Sequence, residues 1–151
     1  MPLSKRVLPP FLEGRVSAAT YDRWLERKAA AHATRDQRRF NHVNLRSAYR
    51  EEIHDAVLRS DGKDAYTGEE LDWTLLSKYN NEESKAGRHG YKAGFALLPT
   101  VDHIESSNRL AMFCICGWRT NDAKHDLSLS SFLVLCEKVL MHHGYSVTKD
   151  A

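Results

Sequence analysis

The chain has 151 residues, of which 42% are hydrophobic and 28% charged, with a formal net charge of +2. That balance suits one domain with a buried core and excludes a disordered chain. Three cysteines, Cys114, Cys116 and Cys136, form no CxxC pair, which excludes a secreted disulfide framework and a four-cysteine zinc knuckle.

No apolar run approaches a membrane span, and the opening MPLSKRVLPPFLEG lacks the apolar segment of a signal peptide, so a cytoplasmic protein with no membrane partner is expected. The charge is uneven. Between Arg15 and Arg46 stand eight Arg or Lys residues (Arg15, Arg23, Arg27, Lys28, Arg35, Arg38, Arg39, Arg46) against Asp22, Glu26 and Asp36. A local excess of this kind suits a polyanion-facing surface, although charge runs are also common on solvated faces.

In chain order, residues 1–16 carry three of the four prolines and read as an extended arm. The rest, 17–151, reads as a single domain. Ser17 is placed to cap a helix in which Tyr21, Trp24, Leu25, Lys28, Ala29 and His32 recur at three- and four-residue steps. Asp36 to Asn44 reads as a break. A second helix follows from Ser47 to Arg59, with Tyr49, Ile53, Ala56 and Val57 on one stripe, ending at Ser60-Asp61-Gly62. His54, one residue off that stripe, reads as a half-buried helix histidine with an ordinary hydrogen bond. Together these make a basic helical segment over 17–62.

Residues 64–73, with Thr67-Gly68-Glu69 at the turn, predict a small hairpin that delivers apolar side chains to the core. A polar loop over 77–94, with Lys78, Lys85, Arg88, His89 and Lys92, should follow. A strand over Phe95–Val101 then ends in Asp102-His103, Glu105 to Asn108 makes a turn, and Leu110–Trp118 forms a second strand buried on both faces. Cys114 and Cys116 share a face of that strand and read as buried apolar residues. Thr120 or Asn121 can cap a short helix carrying Lys124 and His125. Ser128 or Ser130 can cap a last helix, within 129–144, whose Phe132, Leu133, Leu135, Cys136, Val139 and Leu140 should pack inward until Gly144 ends it. His142 and His143 in its last turn complement the helix dipole.

Asp102, His103 and Asn121 carry the chemistry. Oxygen ligands from a carboxylate and an amide suit one hard divalent ion such as Mg2+, and an imidazole outside the metal shell can activate water. Adjacent strand residues point to opposite faces, so Asp102 and His103 converge only if the strand breaks there. The helix start beside Asn121, with Arg119 and Lys124, can hold phosphate. His125 is the alternative ligand.

The run VDHI, followed eighteen residues after His103 by N-x-x-K with an apolar strand between, resembles the HNH (ββα-metal) nuclease motif, in the subset whose last metal ligand is Asn. The hairpin at Tyr66-Thr67-Gly68-Glu69 is also similar to the segment preceding that motif, and the resemblance covers residues 64–135. It implies an α+β fold, a ββα-metal core with an added N-terminal helical segment and a C-terminal helix. It further implies a DNA endonuclease with His103 as general base and one divalent ion, Mg2+ or else Mn2+ or another transition metal, on Asp102 and Asn121. The chain departs from the motif at Met112, where a loop-steadying Asn usually stands, and Asn108 could substitute. Arg23, Arg27, Lys28, Arg35, Lys85, Arg88 and Lys92 are the candidates for DNA backbone contact.

Three alternatives differ in chemistry. A domain of the same fold could bind nucleic acid without cutting it. His103-Ile104-Glu105 matches the H-x-E of zinc deaminases, whose P-C-x-x-C is missing here. His103, Cys114 and Cys116 could hold a structural zinc.

Overall fold

Ser17 starts the first helix as expected, its Oγ accepting the Thr20 N–H at 3.1 Å. The structure is a computed structural model and describes residues 7–40, 45–78, 93–104 and 112–150. The helix α1 runs over Ala18–Phe40 and α2 over Arg46–Ser60. Asp36 to Phe40, expected as part of a break, continue α1; their charge hid the fact that the helical stripe goes on through Arg35, Asp36 and Arg39. At the end of α2 Asp61 adopts φ 51° and Gly62 φ 83°, the left-handed turn that stops a helix.

The two helices pack along each other, and α2 lies on the second strand. Tyr21, Leu25 and Ala29 of α1 meet Tyr49, Ile53 and Val57 of α2 in a core that excludes water. Burying each large apolar side chain is worth about 1.5–3 kcal/mol. His54 takes the expected role, its Nδ1 2.7 Å from the Tyr21 hydroxyl. Residues 7–16 are not a free extended arm. They turn through a 3-10 helix at Pro10–Leu12, bury Leu12 completely and set Phe11 edge-on to Trp73 with ring centroids 6.0 Å apart.

The hairpin at 64–73 closes with a single bridge, Lys63 to Glu70. Asp64 builds it: Oδ1 accepts the N–H groups of Tyr66 and Thr67, and Oδ2 accepts the Gly117 N–H and the Thr120 hydroxyl. One buried carboxylate therefore ties the hairpin to the strand-helix junction. Gly117 is required there, because a Cβ would sit 2.9 Å from the Ala96 carbonyl oxygen.

Strand β1 is Pro99–His103 and β2 is Phe113–Gly117, paired antiparallel. β1 begins four residues later than Phe95, since Phe95 to Leu97 form a turn in which the Leu98 N–H bonds the Phe95 carbonyl at 3.0 Å. Register places His103 beside Phe113 and Asp102 beside Cys114. Helix α3, Trp118–Lys124, follows directly, with Gly117 and not Thr120 or Asn121 at its N-cap. The fold is thus mixed helix and strand, with the order strand, strand, helix around β1.

Helix α4, Leu129–His142, starts where expected: the Ser128 Oγ accepts the Ser131 N–H at 3.1 Å. Gly144 follows its end at φ 92°. Its packing corrects the expectation. None of its residues is buried; Leu133 is 57% exposed, Leu135 46%, Val139 52% and Leu140 40%, while Phe132 and Cys136 are only half-buried. Apolar periodicity reports which side chains would gain by burial, not whether a surface lies opposite them. Among the described residues no helix is long and apolar enough to cross a membrane.

Candidate active site

The last two and a half turns of α1, the end of β1 and the α3–α4 turn surround a cavity of about 980 Å3. Asp102, His103, Asn121, Lys124 and His125 all line it, as do His32, Arg35 and Arg39. His32, Arg35 and Arg39 stand at helical spacing on one face of α1, and that stripe could have been found by carrying the period past Asp36.

Asp102 and His103 do not meet through a strand break. Both lie in regular β1 and leave it on opposite faces, yet the cavity wraps the strand end and reaches both. His103 turns with Phe113 toward α1. Its Nε2 is 3.2 Å from Asp36 Oδ1 and 3.4 Å from Oδ2, and its Nδ1 is 3.2 Å from His32 Nδ1. Asp36 is 4% exposed and also accepts the Tyr49 hydroxyl at 2.6 Å. Burial, aided by the Arg35 charge, lowers the His103 pKa; burial and the His103 charge push that of His32 down to about 3.

Asp102 turns to the other side. Its Oδ2 accepts the Tyr66 hydroxyl at 2.6 Å and pairs with Lys124 Nζ at 2.9 Å. Lys124 is only 3% exposed and lies 5.4 Å above the Tyr66 ring. The Cys114 thiol donates to the Tyr66 oxygen at 3.1 Å, and burial raises the pKa of both groups. A cation entering at Asp102 thus meets oxygen donors suited to a hard ion, but must share Oδ2 with an ammonium. Among the described residues no three His, Cys, Asp or Glu side chains form a group able to hold a metal. The zinc trio fails on register, because His103 and Cys114 belong to opposite faces of the sheet.

The other expected contacts divide. Arg35 lines the cavity, with its Nε buried and lacking a hydrogen-bond partner. Lys124 lines it too, committed to Asp102. Lys28 is tied to the Thr100 hydroxyl at 3.1 Å, while Arg23, Arg27 and Arg119 are exposed and outside the cavity lining. His125 does not continue the helix face of Asn121. It is the C-cap of α3 at φ 53°, its side chain 82% exposed and paired with Asp126. Lys85, Arg88, Lys92 and Asn108 lie outside the described residues. Met112 contributes main chain, its carbonyl accepting the Ile104 N–H at 2.8 Å and extending the ladder one step past His103. No family model, curated protein or solved structure matches the chain.

Proposed function

We propose that the chain is a metal-dependent HNH-type endonuclease that hydrolyses DNA phosphodiester bonds. The observation that carries this reading is the meeting of an imidazole (His103), two hard oxygen donors (Asp102, Asn121) and two arginines (Arg35, Arg39) on one cavity. His103 takes a proton from water, and the arginines hold the phosphate oxygens by charge-assisted hydrogen bonds. Asp102 and Asn121 would hold the divalent ion, Mg2+ in the first instance. When bound, that ion neutralises charge on the phosphoryl and leaving oxygens.

The Lys124–Asp102 pair favours a second reading, a nucleic-acid-binding domain in which a fixed ammonium replaces the ion. One experiment separates the two. Supercoiled plasmid incubated with Mg2+ or Mn2+ should be nicked by the wild-type protein and at least about 100-fold more slowly by His103→Ala, with DNA retention in a mobility-shift assay unchanged. Binding without nicking by the wild type would select the second reading.

A further inference from the structure

The neighbours of His103 specify more than a general base. Asp36 is a buried carboxylate, and an ionised carboxylate can only accept hydrogen bonds. Tyr49, 1% exposed, donates its hydroxyl to Oδ2 at 2.6 Å. His103 Nε2 faces the carboxylate at 3.2 Å from Oδ1 and 3.4 Å from Oδ2, so Nε2 must carry the ring proton. Nδ1 is left with the lone pair. The group 3.2 Å from it, His32 Nδ1, must therefore be the donor. The tautomers of both histidines are set in series by one acid.

We propose that Asp36, held in turn by Tyr49, is the positioning residue for His103: it keeps the proton on Nε2 and presents Nδ1 as the basic atom. The assignment deepens the nuclease reading and rests on it. In the reaction the proton of the attacking water moves to Nδ1, the hydroxide oxygen bonds phosphorus, and the bridging P–O bond breaks, its oxygen taking a proton from solvent. The imidazolium that forms keeps its Nε2–H on the Asp36 carboxylate, 3.2 Å from Oδ1 and 3.4 Å from Oδ2. Before water can approach, the His32 N–H must leave Nδ1, which makes His32 the group the attacking water displaces.

The experiment pairs a structural readout with a kinetic one on the full chain. In 15N-labelled wild-type protein above pH 7, the His103 ring nitrogens should show the Nε2–H tautomer. In Asp36→Asn the Nδ1–H form should appear, plasmid nicking should fall at least about 100-fold, and plasmid binding should not change. Tyr49→Phe, which removes one donor and no charge, should keep the Nε2–H form and lose less than about 10-fold, giving a second reading if Asp36→Asn folds poorly. An Nδ1–H ring in the wild type, or a tautomer shift in Asp36→Asn without loss of rate, would overturn the assignment. Wild-type protein that shows the Nε2–H ring but cuts no DNA would instead overturn the nuclease reading and leave the orientation by Asp36 standing.

Discussion

His32 is pressed between Phe113 and His103, with ring centroids 5.0 Å and 4.7 Å away. Burial, then the charges of His103, Lys28 and Arg35, take its pKa from 6.5 to about 3, and that of His103 falls for the same leading reason. The unfolded chain binds these protons near pH 6.5 and the folded chain does not, so folding stability is complete above pH 6.5 and declines as pH falls from there toward 3. The urea midpoint should drop between about pH 7.5 and about pH 5.0, with the unfolding free energy falling by about 1 kcal/mol per pH unit for His32. His32→Asn should flatten the decline, and a wild-type midpoint that stays level across this range would contradict the buried neutral pair. His103 and Asp102 were legible as strand-end residues from residue type and spacing. Asp36 and Asp64 were not, because a carboxylate in a polar run reads as solvent-facing until the fold supplies its donors: Tyr49 thirteen residues on, and Gly117 fifty-three residues on.

At the scale of elements, α2 and the first five turns of α1 were legible because their apolar stripes find partners, Ser17 caps the start of α1 and Asp61-Gly62 ends α2. The last turn of α1 was not, since its stripe changes there from apolar to His, Arg and Asp, which pattern reading takes for a break. β1 was displaced because Phe95 and Leu97 are apolar yet precede Pro99, where the pairing starts. α4 is the clearest divergence, a helix with correct caps and no buried residue. Leu133→Lys with Val139→Lys should therefore leave the thermal midpoint of the protein nearly unchanged, within about 0.5 kcal/mol of wild-type stability. A loss of about 2–5 kcal/mol, as for truncation of a core leucine, would mean that these side chains are covered in solution.

Across the whole molecule, the segment that lies outside the family resemblance supplies much of the site. α1 brings His32, Arg35, Asp36 and Arg39 to the strand that carries Asp102 and His103, and α2 secures Asp36 through Tyr49. The neighbours Asp102 and His103 on β1 are served by separate networks, Tyr49–Asp36–His103 on one face and Lys124–Asp102–Tyr66 on the other. Such a division would let the imidazole be oriented independently of the carboxylate, as the proposed reaction with one ion beside one base requires. In the proposed function Asp102 holds that ion. Mn2+ binding to the full chain, followed by electron paramagnetic resonance, tests it most directly. The wild type should bind one ion per chain, and Asp102→Asn should lose at least about 10-fold in affinity with its circular dichroism unchanged. No bound Mn2+ in the wild type, or equal binding by Asp102→Asn, would contradict this role of Asp102.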